Sequence, residues 1–141
     1  MNFEDRIFIK GSIYSNGYVE FSGKFYMIDD EGNPDTSKEY EFPYNRYDED
    51  GNPVVATDFC FMDYGKCIIF PNQRANSISL TDGSIYVYSY EVYVPLSKKK
   101  YTLIPREGDI VKIQKKDGTI DIEKEVKGFV TYKRKYLRLW L

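Results

Sequence analysis

Glu107-Gly108-Asp109-Ile110-Val111-Lys112-Ile113-Gln114-Lys115-Lys116-Asp117-Gly118-Thr119-Ile120-Asp121-Ile122 is the stretch that decides the fold. Two glycine turns bound runs in which β-branched residues alternate with polar ones, and a period of two belongs to a strand with one buried face. Downstream, Glu125-Val126-Lys127-Gly128-Phe129-Val130-Thr131-Tyr132 keeps the pattern, Lys133-Arg134-Lys135 makes a basic turn, and Tyr136-Leu137-Arg138-Leu139-Trp140-Leu141 follows. Leu137, Leu139 and Leu141 share one face, which predicts that this strand is pinned into the core.

The same grammar extends upstream. Arg6–Lys10 reads as a strand, Asn16-Gly17 as a type I′ hairpin turn between Ser12–Ser15 and Tyr18–Phe21, and Lys24–Ile28 as a third strand. Asp58–Met62 and Lys66–Phe70, separated by Asp63-Tyr64-Gly65, read as a helix or strand followed by a strand; propensity leaves the choice open. Thr81-Asp82-Gly83-Ser84 closes another hairpin, and Ile85–Val94, apolar on both faces, reads as one continuous central strand. No segment sustains a 3.6-residue period, so the expectation is an all-β fold, a small antiparallel β-barrel or sandwich. Asp29-Asp30-Glu31-Gly32-Asn33-Pro34 and Asp48-Glu49-Asp50-Gly51-Asn52-Pro53 read as turns, and residues 29–53 as a long acidic loop or flap on a single β domain of residues 1–141.

Composition narrows function. The chain has 141 residues, long enough for one compact domain, with 14 Tyr, 9 Phe and 1 Trp but no His. A Ser-His-Asp triad, a Cys-His dyad and a histidine-bearing zinc site are therefore excluded. Neither glycine-lysine pair, Gly23-Lys24 or Gly65-Lys66, is followed by Ser or Thr as a phosphate loop requires. In the acidic turns Gly51 stands in the wrong place for an EF-hand, and most of the 22 acids fall in turns where nothing raises a pKa for glycoside hydrolysis. The expectation is a protein that is not an enzyme and has no cofactor or metal. Cys60 and Cys67 match neither a redox nor a zinc spacing and read as free thiols. Acids near the N-terminus and the lack of any apolar run of spanning length point to a chain made and kept in a reducing cytoplasm without a membrane partner.

Charge is unevenly spread: residues 1–63 carry net −9 and residues 64–141 net +7. Such a split suits either head-to-tail association of copies or pairing within one chain. The aromatic acidic segment, Tyr40, Phe42, Tyr44, Asp48, Glu49 and Asp50, and the basic turn Lys133, Arg134 and Lys135 are the candidate protein-interface residues.

The order Tyr88–Val94, Pro105-Arg106-Glu107-Gly108-Asp109-Ile110-Val111, Lys116-Asp117-Gly118, Val126-Lys127-Gly128-Phe129 and Leu137–Leu141 resembles small head-completion or head–tail connector proteins of tailed phages, particularly the crAss-like group of Bacteroidales phages. Cys67–Asn72, leading through Thr81-Asp82-Gly83 into the first of these strands, fits the same pattern. The resemblance spans about residues 64–141. It implies a structural virion subunit in an oligomeric ring at the portal–tail interface, with portal and tail proteins as partners and non-specific DNA contact in the channel. Two other functions suit the composition. Basic clusters interleaved with tyrosine suit an OB-like single-stranded nucleic-acid-binding protein, against which stands a pI near 5.3; the aromatics also suit a carbohydrate-binding module.

Overall fold

The computed structural model describes residues 3–41, 47, 49–97, 103–132 and 135–141. Over these residues the fold is all-β with antiparallel pairing. Its strands are β1 (Asp5–Tyr14), β2 (Tyr18–Phe21), β3 (Lys24–Ile28), β4 (Pro34–Tyr40), β5 (Ala56–Pro71), β6 (Ser77–Ser79), β7 (Ile85–Val87), β8 (Tyr90–Pro95), β9 (Ile110–Gln114), β10 (Asp121–Glu125), β11 (Gly128–Tyr132) and β12 (Tyr136–Trp140).

The chain divides into two compact units, Met1–Ile9 with Asp63–Leu141, and Lys10–Met62, and it passes between them inside β1 and inside β5. The division follows charge. The first unit's sequence holds 16 bases and 11 acids, net +5, and the second's 4 bases and 11 acids, net −7; they are called the basic and the acidic unit below.

In the basic unit the ladder runs β11-β12-β8-β5, while Arg6–Ile9 of β1 pairs β9, which pairs β10. Alternation sends Leu137, Leu139 and Leu141 inward, buried as expected, and Val92 and Val94 are buried with them. The segment that propensity left open is a strand. At Gly65, where φ is 118°, the buried positions of β5 change phase, from Tyr64 to Cys67 and Ile69, the pattern a β-bulge produces. Asp63 Oδ1 accepts the Gly65 N–H at 2.9 Å there. Asp5, the one charged residue buried among the described residues, accepts N–H bonds from Ile69 (3.1 Å) and Lys116 (3.0 Å), tying β1 to β5 and to the β9–β10 turn.

Ile85–Val94 is not one strand. It breaks at Tyr88-Ser89: the Asn72 side chain takes the Tyr88 carbonyl at 2.7 Å, and Ser89 donates to the Leu141 carbonyl at 2.7 Å. These partners divert the backbone, leaving β7 paired, among the described residues, only with β6, and β8 central between β5 and β12.

In the acidic unit the second half of β1 pairs β2, β2 pairs β3 and β3 pairs β4. The expected type I′ turn at Asn16-Gly17 is instead a three-residue loop, with Gly17 N–H donating to the Tyr14 carbonyl at 3.0 Å and only Gly17 at positive φ. Asn16 does not take the left-handed conformation that a type I′ turn needs; its Oδ1 accepts the Tyr18 N–H instead. The two-residue turn with both residues at positive φ lies one hairpin later, at Ser22-Gly23. Within the acidic 29–53 segment, Pro34–Tyr40 forms β4, and Asp29 Oδ1 accepts the Glu31 and Asn33 N–H groups of the turn that enters it.

Candidate functional site

The sequence candidates fall in both units. Tyr40 ends β4, with the Lys38 ammonium 4.8 Å from its ring and the Tyr18 ring edge-on at 5.5 Å. Glu49 and Asp50 are exposed in a turn of the acidic unit, and Lys135 is exposed in the turn before β12 in the basic unit, where its N–H donates to the Tyr132 carbonyl. Phe42, Tyr44, Asp48, Lys133 and Arg134 lie outside the described residues.

A polar cluster on β8 and β12 lies outside the sequence candidates. The alternation that buries Leu137 and Leu139 of β12, and Leu141 just after it, turns Tyr136, Arg138 and Trp140 to the opposite face. Antiparallel register then sets Arg138 across from Tyr93 and Trp140 across from Glu91 on β8. The Arg138 guanidinium lies 4.7 Å from the Trp140 ring and 5.5 Å from the Tyr93 ring. Its Nε stands 2.5 Å from Glu91 Oε1. The same carboxylate accepts the Tyr93 hydroxyl at 2.5 Å and the Tyr88 hydroxyl at 3.4 Å. Tyr132 accepts from Arg138 Nη1 at 3.4 Å.

These contacts set the charges. Burial pushes the Glu91 carboxyl upward, but the Tyr93 hydroxyl and the Arg138 guanidinium outweigh it and hold the group below its usual range. Tyr93 is pushed up to about 12 by burial and by its bond to Glu91. Arg138, opposed by burial but supported by Glu91 and Tyr132, is held above its usual value. The centre is a fixed ion pair, framed by aromatics that reach solvent: Phe70, edge-on to Tyr93 at 6.1 Å, is 43% exposed, Tyr132 44% and Tyr136 39%. The readable signal was the Tyr-x-Arg-x-Trp alternation within 136–140; Glu91, distant in sequence, has no local one.

Beside Trp140 lies an open hollow of about 410 Å³, bounded by Ile78, Thr81, Glu107, Lys127 and Gly128 among others. Its charged groups are already engaged, Glu107 by the Thr81 hydroxyl at 3.0 Å and Lys127 by Glu125 at 3.0 Å. In the acidic unit, Lys10 lies 4.5 Å from the Phe59 ring, and Phe59 is 59% exposed. No group of three or more His, Cys, Asp or Glu with metal-holding geometry occurs among the described residues. Cys60 and Cys67 are thiols not joined in a disulfide, and burial, with the nearby Asp58 charge, raises the Cys60 thiol. No helix among the described residues is long and apolar enough to cross a membrane.

Compared with protein-family models, curated proteins and solved structures, the chain matches none of them.

Proposed function

We propose that the chain is a non-catalytic structural subunit acting through protein–protein contact, in the setting its sequence resembles, the head–tail connector of a tailed-phage virion. The observation that carries this reading is the Arg138-centred face. Arginine, tryptophan and tyrosine are the residues enriched where proteins bury their contacts, and here they stand together, part-exposed to solvent, on one sheet face. The partition into a +5 and a −7 unit supports it, because complementary charge orients a contact that aromatic burial then holds.

The test is a Tyr132→Ser/Tyr136→Ser variant expressed in the infected host. An unchanged melting temperature together with incorporation into particles reduced ~10-fold, the equivalent of about 1.4 kcal/mol, is the expected result. Normal incorporation overturns the reading.

Single-stranded nucleic-acid binding is the second reading, favoured by an arginine stacked against Trp140 beside exposed tyrosines. Trp140 is the chain's one tryptophan, so its fluorescence reports on this face directly. Strong quenching by an oligonucleotide, reversed by salt, would transfer support to that reading. Quenching by a soluble oligosaccharide would transfer it to a carbohydrate-binding module.

A further inference from the structure

Each unit ends its ladder on an open strand. Among the described residues β11 pairs only β12, and β4 pairs only β3. The outer edge of each presents backbone N–H and C=O groups for water or another chain to satisfy. β11, Gly-Phe-Val-Thr-Tyr, has neither charge nor proline, so nothing in its sequence blunts that edge. β4 has five consecutive exposed residues and carries Asp35, Lys38 and Glu39, with Asp29, Asp30 and Glu31 before it and Glu41 after it. Bases bracket β11 instead: Lys127, itself beside Glu125, and Lys135.

We infer that β4 of one copy adds to the outer edge of β11 in a second copy, extending that ladder by one strand. The proposal rests on the reading of the chain as an assembly subunit and names the contact between its copies. Charge selects this pairing over the two symmetric ones, since β11 on β11 would bring together two units of net +5, and β4 on β4 two of net −7. Backbone hydrogen bonds along the added strand supply affinity, while the flanking charges set which edges meet. The contact is heterologous, so a copy bound through β4 still offers its own β11.

The test is a charge exchange on exposed positions, read by sedimentation of the full chain over a concentration series at low salt. Thr131→Glu on β11 is expected to weaken association ~10-fold, whereas Thr131→Lys leaves it intact or stronger. Adding Glu39→Lys to the Thr131→Glu chain is expected to restore association, and raising ionic strength to weaken the wild type. Melting temperatures close to wild type establish that each variant folds. Equal loss with Thr131→Glu and Thr131→Lys would point to β11 meeting β11 and overturn the proposal. Association indifferent to all three changes overturns it too, while leaving the assembly reading standing. Copies that do not associate at any concentration also overturn it; the particle-incorporation experiment then decides the assembly reading separately.

Discussion

Among the described residues the basic unit buries fifteen apolar side chains, from Ile7 to Leu141, and the acidic unit four, Val19, Phe21, Phe25 and Tyr26. Both are built from the same short antiparallel ladders, so hydrogen bonding does not separate them. The difference lies in what the strand faces meet. In the basic unit β8 and β12 alternate along their length, with Val92 and Val94 of β8 and Leu137 and Leu139 of β12 buried between residues that reach solvent. In the acidic unit β4 is exposed along most of its length, as is Ala56–Phe59 of β5. A ladder with one buried face gains stability from every inward side chain, whereas a thinly covered one depends on its turns and on a few aromatic contacts. The acidic unit is thus the one with most to gain from a partner, and the basic unit the one able to hold a fixed surface.

The sharpest way to break this contrast is to open the larger core. Leu139→Ala should cost about 2–5 kcal/mol, because the site is fully enclosed and relaxes little. A thermal melt that hardly moves would mean that the inward face of β12 is not what holds the basic unit together. Asp5→Ala should follow closely. It leaves the buried Ile69 N–H without its acceptor, at about 1–3 kcal/mol, and hands the part-buried Lys116 N–H to water; Asp5→Asn, which keeps one acceptor oxygen, should recover part of the loss in chemical denaturation.

In the acidic unit the corresponding test is Gly11→Ala. A Cβ there would stand 2.4 Å from Phe21 Cε1 and 2.8 Å from the Glu20 carbonyl oxygen, contacts that neither a buried ring nor a ladder carbonyl easily yields. The expected cost is about 1–3 kcal/mol, seen by hydrogen exchange as faster opening of β2 and β3, with β8 and β12 unchanged if the units respond separately.

The smallest effect concerns pH. Glu91 is held low, so its contribution is complete above the ordinary carboxylate range and lost as pH falls through the lowered value. Tyr93 is held high, so its contribution is complete below about 10 and lost as pH rises through about 12. Melting temperatures of wild type and Glu91→Gln should converge at the acid end, and parallel curves would remove Glu91 from the balance.

How much of this was legible follows from the range of each interaction. The strands around Gly83, Gly118 and the β11–β12 turn were readable because a turn and its flanking alternation occupy about ten consecutive residues. So was the inward face of β12, since Leu137 and Leu139, continued by Leu141 at the same spacing, admit one strand orientation. The Asn16 loop misled because Asn-Gly chemistry fits two turn geometries, and the choice depends on local bonds such as that from the Tyr18 N–H to the Asn16 side chain. The break at Ser89 was hidden because Asn72 and Leu141, distant in sequence on either side, impose it. The Arg138 centre was half legible: its own strand displays Tyr136, Arg138 and Trp140 on one face, but the register that brings Glu91 and Tyr93 beneath them exists only once β8 and β12 have paired.

The broken path of the chain through its two units bears on how the protein is made. The acidic unit's pairings between β1, β2, β3 and β4 all lie within residues 12–40, and each joins neighbours in sequence. A ribosome adding about 5–20 residues each second exposes those hairpins seconds before β12 exists, while hairpins close in microseconds. The basic unit has no such head start. Its β1 segment waits through about a hundred residues for β9, and β8 through about forty-five for β12. During synthesis the thinly covered unit therefore assembles first, and the unit with the deep core closes around strands whose partners are the last to arrive.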